Sequence, residues 1–282
     1  MHNTLEQVFG FTQFRAGQEA VVSAVLAGRS AAAIFPTGSG KSLCYQLSAL
    51  MLPHLTLVVS PLLALMQDQL AFLQRHGIAA ASIDSAQSRE DASAVMAKAK
   101  AGELKILMIS VERLKNERFR NFLQQVPISL LVVDEAHCIS EWGHNFRPDY
   151  LKLPDYQRQF NIPQALLLTA TATPNVIADM QTKFAIAEAD VITTGFYRAN
   201  LNLWVEPVTG AAKRERLVQW MGERIGQPSI VYVTLQKVTE ALVLQPLDRN
   251  HQNFQLTGFG LGHHGAASSR LCAESILAAA IP

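Results

Sequence analysis

The sequence has almost no excess of charge of either sign. Its 282 residues carry 24 Lys and Arg against 23 Asp and Glu, so the formal net charge is +1, and charged residues make up only 17% of the chain. A protein with so little net charge has no overall field that attracts nucleic acid or membranes, so any site for a polyanion must be local. Hydrophobic residues make up 49%, which is enough for a packed core, and the length predicts about two domains.

Cysteines are also few. Cys44, Cys138 and Cys272 lie far apart and form no Cys-x-x-Cys pair. Zinc sites need such pairs or closely spaced histidines, so we predict free thiols and no zinc. A lone cysteine beside a motif is more often packed in a core than reactive, and Cys138 is therefore assigned no role.

No segment predicts export or membrane insertion. The N-terminus lacks a basic stretch followed by an apolar run, which a secretory signal requires. Residues 43–66 carry no charge, but Pro53 and Pro61 divide them into pieces that are too short to cross a bilayer. We expect a cytoplasmic protein with no membrane partner.

Short apolar runs alternate with amphipathic stretches along most of the chain. Near-continuous apolar runs are typical of parallel strands buried on both faces, and the stretches between them are typical of crossover helices. The pattern predicts an α/β fold with a doubly wound, mostly parallel central sheet flanked by helices. The predicted strands are 31–35, 56–60, 80–83, 105–110, 130–134 and 165–169, and the predicted helices are 16–27, 41–52, 62–75 and 89–101.

The segment Phe35-Pro-Thr-Gly-Ser-Gly-Lys-Ser42 lies between a predicted strand and a predicted helix. Backbone N–H groups in such a loop converge on phosphate oxygens at the start of the helix, which makes this a P-loop. Lys41 would reach the β- and γ-phosphates, and the Ser42 hydroxyl would bind Mg²⁺. The full pattern begins with Gly where this chain has Phe35, and the alternative is an ordinary turn before a core helix. The residues predicted to bind the phosphates are Thr37, Gly38, Ser39, Gly40, Lys41 and Ser42.

Two carboxylates, Asp134 and Glu135, follow the apolar run 130–133. Ligands of open parallel sheets lie at the carboxyl ends of the strands, so both side chains are predicted to face the P-loop. Asp134 would hold Mg²⁺, and Glu135 would orient and deprotonate the attacking water. Acidic residues at a strand end are otherwise ordinary, and the P-loop decides between the two interpretations. Lys41, Asp134 and Glu135 are the predicted catalytic residues of a site for ATP and Mg²⁺.

Several further segments carry a family resemblance. Asp134-Glu-Ala-His137 and Leu168-Thr-Ala-Thr-Ala-Thr173 resemble the second and third motifs of superfamily-two helicases. Cys138-Ile-Ser-Glu-Trp-Gly-His-Asn-Phe-Arg-Pro-Asp-Tyr150 resembles the aromatic-rich loop of RecQ-family DNA helicases. Phe11-Thr-Gln-Phe-Arg-Ala-Gly-Gln18 is similar to the family's motif before the P-loop, and Val59-Ser-Pro-Leu-Leu-Ala-Leu-Met-Gln-Asp-Gln69 to its DNA-backbone motif. The resemblance covers residues 1 to about 237.

The resemblance implies an ATP-dependent 3′–5′ DNA helicase of DNA repair and recombination, which couples ATP hydrolysis to translocation on single-stranded or partly duplex DNA. Such an enzyme would be associated with the nucleoid if bacterial. The family's motifs also imply that Arg15 and Gln18 contact adenine and ribose-side groups, with Gln18 selecting ATP, and that Ser60 lies in the segment that contacts DNA.

The resemblance also assigns roles on the DNA side. Trp142, Phe146 and Arg147 combine stacking surfaces with a cation, which suits single-stranded bases, although the two aromatic side chains could instead belong to the core. His137, Thr169 and Thr171 would couple the phosphate side of the site to the DNA side. The alternative for the two threonines is a cap on the helix that starts near Pro174.

The last part of the chain departs from the family. A second unit is predicted from strand 203–207, helix 213–225 and strand 229–234, but the family's arginine finger is not found, because the basic residues after Glu240 are Arg249 and Arg270 alone. We expect residues 1–205 to form the ATP-binding domain, residues 206–240 an incomplete second domain, and residues 241–282 a non-native or frameshifted tail. Turnover would then be slow or absent, and the alternative is an inert ATP- and DNA-binding fragment. A kinase or GTPase is disfavoured, since no guanine-specific Asn-Lys-x-Asp motif occurs.

Overall fold

The computed structural model describes residues 1–84, 87–143, 146–195, 201–202, 204–210, 212–224 and 231. The chain divides into two units, Met1–Phe196 and Tyr197–Pro282. The strands of the first unit are β1 (Ala31–Ile34), β2 (Leu55–Val59), β3 (Ala80–Ile83), β4 (Ile106–Ile109), β5 (Ile128–Val133), β6 (Ala165–Thr169) and β7 (Val191–Thr193). Its helices are α1 (His2–Phe9), α2 (Gln18–Leu26), α3 (Lys41–Met51), α4 (Leu63–Arg75), α5 (Arg89–Lys100), α6 (Glu117–Leu123), α7 (Leu153–Gln159) and α8 (Pro174–Phe184).

The strands form one sheet in the order β3-β4-β2-β5-β6-β1-β7, and every neighbouring pair is parallel. Strands β1, β2, β4, β5 and β6 are buried along their whole length, which explains their near-continuous apolar sequences. The predicted α/β fold with a mostly parallel sheet is therefore confirmed. Each predicted strand and helix of this unit exists, with ends that differ by at most two residues.

The two faces of the sheet bury alternate residues of each strand. Leu57 and Val59 pack on one face with side chains from α5 to α8, whereas Val58 packs on the other with side chains from α1 to α4. Helices thus cover both faces, as the doubly wound prediction required. At the β7 edge, the Arg29 guanidinium donates through Nε to both carboxylate oxygens of Asp190, at 3.1 and 3.0 Å, and so fastens the segment that leads into β7.

Side-chain caps define where three of these helices begin. The Ser88 hydroxyl accepts a hydrogen bond from the Asp91 N–H at the start of α5, and the Asn116 side chain accepts one from the Phe119 N–H at the start of α6. Thr173 caps α8 in the same way, with Pro174 as the first helical residue. The prediction of a helix from Pro174 is confirmed, but Thr173 is its cap, so the alternative that Thr169 or Thr171 serves as the cap is wrong.

The second unit contains α9 (Lys213–Gly222), which confirms the predicted helix 213–225 with an earlier end. The predicted strand 203–207 is wrong for its described residues, which are not in a strand. Trp204 and Val205 are 86% and 94% exposed, so the apolar sequence did not correspond to a buried surface. The predicted strand 229–234 and the tail fall outside the described residues, apart from Val231. No helix in the described part of the chain is long and apolar enough to cross a membrane.

Candidate functional site

The P-loop connects β1 to α3 at the carboxyl edge of the sheet. Gly38 and Gly40 adopt positive φ angles of 82° and 81°, which favour glycine. A Cβ atom on Gly40 would lie 2.7 Å from the Gln18 amide nitrogen, so a side chain at this position would displace the Gln18 amide. The strand–loop–helix geometry predicted from the motif is present.

The Lys41 ammonium group lies over this loop. Its Nζ atom donates to the Phe35 carbonyl oxygen at 2.9 Å and to the Pro36 carbonyl oxygen at 3.3 Å. Burial lowers the pKa of Lys41, and the charges of Glu135 and Asp134 partly offset that effect. The lysine and the acidic pair therefore lie close enough to interact, as the motifs predicted.

Arg15, just before α2, and Gln18, the first residue of α2, support the P-loop. The Arg15 Nη1 atom donates to the Gly38 carbonyl oxygen at 2.7 Å. The Gln18 Nε2 atom donates to the carbonyl oxygens of Ser39 and Gly40 at 3.1 and 3.0 Å, and its Oε1 atom accepts from the Arg15 backbone N–H at 2.9 Å. In this structure both residues thus support the loop that their motif precedes.

A pocket of about 270 Å³ opens beside the P-loop. It holds three of the predicted ATP-binding side chains together with residues that the sequence did not single out. Two aromatic residues, Phe11 and Phe72, and two buried or half-buried amides, Gln46 and Gln69, belong to the second group. The full lining is Phe11, Gln13, Arg15, Gln18, Gly40, Ser42, Leu43, Gln46, Gln69 and Phe72.

The acidic pair follows β5. The Ser60 hydroxyl donates to Asp134 Oδ2 at 3.2 Å, and the Glu135 backbone N–H donates to Asp134 Oδ1 at 3.0 Å. Burial and the neighbouring Glu135 charge raise the pKa of Asp134, while these two hydrogen bonds and Lys41 lower it. Glu135 has a positive φ of 48°, an uncommon conformation for a non-glycine residue and one that often marks a functional site.

His137 joins the acidic pair to the end of β6. Its Nδ1 atom lies 3.2 Å from Glu135 Oε2 and 3.1 Å from the Thr169 hydroxyl oxygen. The Thr169 hydroxyl in turn donates to the Thr171 carbonyl oxygen at 3.0 Å. Burial opposes the charged ring, but hydrogen bonds with Cys138 and Glu135 raise the pKa of His137 to about 9. The structure therefore brings together the three residues for which the resemblance implied coupling, His137 and Thr169 through their side chains and Thr171 through its backbone.

The aromatic loop follows directly on the His137 turn. Trp142 is 71% exposed, so the alternative of a core role for this tryptophan is wrong, while Phe146 is half-buried. The Arg147 guanidinium lies 3.9 Å from the Glu112 carboxylate, at the edge of contact. A Cβ atom on Gly143 would lie 2.2 Å from the His137 carbonyl oxygen, so the loop can fold back on the His137 turn only with glycine there.

The predicted site residues thus form two groups, one on the nucleotide side of the site and one on the aromatic loop. Hydrogen bonds or direct electrostatic interactions connect most of the nucleotide-side residues with one another and with His137, Thr169 and Thr171. Within the described part of the chain, the Trp142 side chain forms no hydrogen bond, and Phe146 lies half-buried on the same loop. Cys44 and Cys138 are buried free thiols, as predicted, and Cys272 lies outside the described residues.

The DEAD/DEAH box helicase family model matches residues 15–180, more than half of the chain. The chain belongs to this family. Within this helicase family, similar curated proteins include the "Probable ATP-dependent DNA helicase RecS" of Bacillus subtilis, 40% identical over 86% of this chain, and "ATP-dependent DNA helicase RecQ" of the same organism, 38% identical over 87%. RecQ of Haemophilus influenzae is 35% identical over 85%. These relatives confirm the RecQ-family resemblance.

The chain spans 49%, 42% and 38% of the lengths of these three relatives, less than half in each case. Solved structures show the same fold at lower identity. A hypothetical ATP-dependent RNA helicase from Sulfolobus tokodaii superposes with a TM-score of 0.53 at 22% identity, over 69% of this chain and 57% of that one. The DUF1998 helicase MrfA bound to DNA gives 0.55 at 19% identity, over 68% and 28%. The chain thus has the same fold as these solved domains.

Proposed function

We propose that this helicase chain binds ATP with Mg²⁺ and couples ATP hydrolysis to movement on single-stranded DNA, as a RecQ-like 3′–5′ DNA helicase in DNA repair and recombination. The observation that carries the proposal is the bonded series from Glu135 through His137 to Thr169, because it connects the acidic motif to the loop after β6. The names of the relatives, which include ATP-dependent DNA helicases, support the substrate and the nucleotide. A DNA substrate also favours the cytoplasmic, nucleoid-associated location expected from the sequence.

The P-loop is the proposed phosphate site. Its glycines leave the backbone of the loop open to a close approach, and the loop leads directly into the N-terminus of α3. The Ser39 hydroxyl is buried and forms no hydrogen bond with any described residue, so phosphate binding would give it a partner. Lys41 would exchange its two carbonyl partners for phosphate oxygens. Thr37, Gly38 and Gly40 would contribute through the backbone.

The residues present fit a magnesium ion. Asp134 and Glu135 are adjacent carboxylates, and burial together with mutual repulsion raises the pKa of Asp134, so a cation beside them would relieve an unfavourable charge. Hydroxyl and carboxylate oxygens are the ligands that Mg²⁺ prefers, and Ser42 and Asp134 supply one of each. When bound, the ion would neutralise charge on the phosphates. Ser60 would keep Asp134 oriented through the hydrogen bond that already exists.

Glu135 is the proposed general base for the attacking water. His137 holds its carboxylate on one side, and the positive φ of Glu135 directs the residue away from the path of the strand. Because His137 also contacts Thr169, a change at the carboxylate during hydrolysis would reach the segment Thr169–Thr171. That segment is the proposed relay between nucleotide state and grip on DNA.

The proposed DNA contacts lie on the aromatic loop. An exposed tryptophan on a glycine-containing turn is a suitable surface for stacking unpaired bases without sequence preference. Phe146 and Arg147 lie further along the same loop, and a guanidinium group adds attraction for the backbone. Ser60, whose hydroxyl is engaged with Asp134, would contact DNA through its segment rather than through its own side chain.

The test measures ATP binding, single-stranded DNA binding and phosphate release for the 282-residue chain and for Lys41→Ala. We expect the wild-type chain to bind ATP and DNA and to release phosphate slowly, with DNA raising the rate and Lys41→Ala abolishing it. Failure of the wild-type chain to bind ATP would refute the proposal. Binding of both ligands without any DNA-dependent release would instead support the inert-fragment alternative.

A further inference from the structure

A short buried turn connects the acidic motif to the aromatic loop. All four residues of this turn, Ala136–Ile139, are buried, and Ser140, which follows it, is 0% exposed. The Gly143 N–H donates to the Ser140 carbonyl oxygen at 2.9 Å, and the Arg147 N–H closes the loop on the Cys138 carbonyl oxygen at 3.1 Å. Ser140 therefore lies at the base of the loop, where the chain leaves the core.

The Ser140 hydroxyl group forms two hydrogen bonds. It donates to Asp179 Oδ2 on α8 at 2.5 Å, and its Oγ atom accepts from the Trp142 backbone N–H at 3.2 Å. The first bond is short and has a carboxylate as its acceptor, and bonds of that class are roughly twice as strong as bonds between neutral groups. One buried hydroxyl group thus connects the backbone of the exposed tryptophan to α8.

Helix α8 is joined to the same turn at a second point. Its cap, Thr173, closes the short connection that follows β6. At the start of that connection, the Thr169 hydroxyl oxygen lies 3.1 Å from the His137 ring. The turn is therefore held to the β6–α8 connection through His137 and to α8 itself through Ser140 and Asp179. Two points of attachment fix the direction in which the aromatic loop leaves the turn.

The other polar contacts of Asp179 and of the loop are weaker. Lys183, one turn further along α8, lies 3.9 Å from Asp179 Oδ1, which is the limit of contact. At the far end of the loop, Arg147 and Glu112 are 3.9 Å apart, and their side chains are 37% and 54% exposed. Exposed ion pairs of this kind contribute little. The bond from Ser140 is therefore the attachment that can hold the loop.

We infer that Asp179 is a positioning residue for single-stranded DNA binding, because it holds, through Ser140, the loop that presents Trp142. This inference rests on the proposed DNA contact of the aromatic loop. The Trp142 side chain is 71% exposed, so packing does not orient its ring. A stacking surface binds best when its backbone is already ordered, since ordering it on binding costs conformational entropy. Asp179 supplies that order without touching DNA.

A double-mutant cycle between Asp179→Ala and Trp142→Ala tests this role. The affinity of the full 282-residue chain for a labelled single-stranded oligonucleotide is measured by fluorescence anisotropy at one salt concentration. Removing the Asp179 charge alters the general attraction for DNA, but it does so equally with and without Trp142, so the cycle cancels this effect. We expect Asp179→Ala to weaken binding about fivefold more in the presence of Trp142 than in its absence, a part of the value of one stacked base.

Three further variants make the test specific. Ser140→Ala removes both hydrogen bonds of the hydroxyl group and should couple to Trp142 as Asp179→Ala does. Asp179→Asn keeps an oxygen that can accept from Ser140, so it should restore most of the coupled affinity. Asp91→Ala is the matched control, because it removes the same charge and a Ser–Asp hydrogen bond of 2.8 Å at the start of α5, and it should show no coupling.

The outcomes separate this inference from the proposed function. A wild-type chain that does not bind single-stranded DNA, or binding that Trp142→Ala leaves unchanged, refutes the proposed DNA contact and the inference with it. A loss in Trp142→Ala to which the effects of Asp179→Ala and Ser140→Ala simply add overturns the inference alone, since the pair then only stabilises the fold. Thermal melting shows whether each variant is folded, and if Asp179→Ala is not, the cycle with Ser140→Ala decides.

Discussion

The Nδ1 atom of His137 lies 3.2 Å from the Oε2 atom of Glu135. Burial disfavours charge on the ring, yet hydrogen bonds with Cys138 and Glu135 raise the pKa of His137 to about 9, above its ordinary 6.5. When folding raises the pKa of a group, protonation of that group stabilises the folded state. This stabilisation is complete below the pKa of the unfolded state, and it is lost as the pH rises through the pKa of the folded state. The pair is therefore a source of stability that depends on pH.

This relationship predicts how His137→Gln will behave. The difference in the free energy of unfolding between wild type and variant should be largest near pH 6 and should shrink by on the order of 1–3 kcal/mol by about pH 10. Urea denaturation at a series of pH values measures it. His54→Gln changes an exposed histidine away from the acidic pair and serves as the matched control. A constant difference for His137→Gln would show that Glu135 does not hold a charged ring.

Glu135→Gln tests the proposed general base. The side chain keeps its size but can no longer take a proton, so phosphate release should fall by about 10²–10⁴-fold, and ATP affinity should stay close to that of the wild type. Single-turnover kinetics together with equilibrium ATP binding separate the two effects. Glu141→Gln, at an exposed acid in the following loop, should change neither. Equal losses in binding and in rate would contradict the assignment of Glu135 to the chemical step.

Trp142→Ala tests the stacking surface. Since its side chain is 71% exposed, removal should leave the free energy of unfolding nearly unchanged, while single-stranded DNA binding should weaken by about 1–3 kcal/mol, the value of one stacked base. Fluorescence anisotropy of a labelled oligonucleotide measures the affinity. Trp204→Ala removes a similarly exposed tryptophan outside the loop and serves as the matched control. Equal losses in both variants would argue against a special role for the aromatic loop.

The sequence predicts the sheet well, because buried parallel strands require long apolar runs and β2, β5 and β6 have them. Strand β7 was not predicted, since its three residues are only partly buried and it lies at the sheet edge. The strand predicted at 203–207 shows the opposite error. Its described apolar residues Trp204 and Val205 lie at the surface, and an apolar sequence alone does not indicate what covers it.

The site residues could be predicted only where a single segment of the sequence contains the complete motif. The P-loop and the acidic pair are contiguous, so Lys41 and Glu135 could be found from spacing alone. The bond between Gln46 and Gln69 joins two helices, and nothing in either segment indicates the other. Gly17 is a second such case, because the contact that requires glycine there comes from Phe35, eighteen positions away in the P-loop motif.

Gly17→Ala tests that packing at Gly17. Its φ is 80°, and a Cβ atom there would lie 2.7 Å from Phe35 Cζ and 2.8 Å from Thr194 Cγ2. Phe35 is fully buried at the start of the P-loop, so it has little room to move. Gly28→Ala is a matched control at the other end of α2, because its φ is 79° but nothing lies within 4 Å. Both variants carry the cost of a left-handed backbone, about 1 kcal/mol, and only Gly17→Ala adds a clash of about 1–3 kcal/mol.

Urea denaturation should therefore show the greater destabilisation for Gly17→Ala. ATP affinity should fall in that variant alone, because Gln18 follows Gly17 directly and supports the loop through two of its carbonyl oxygens. Equal destabilisation of the two variants would mean that Phe35 yields to the added methyl group, and the close contact would then not be what requires glycine at this position.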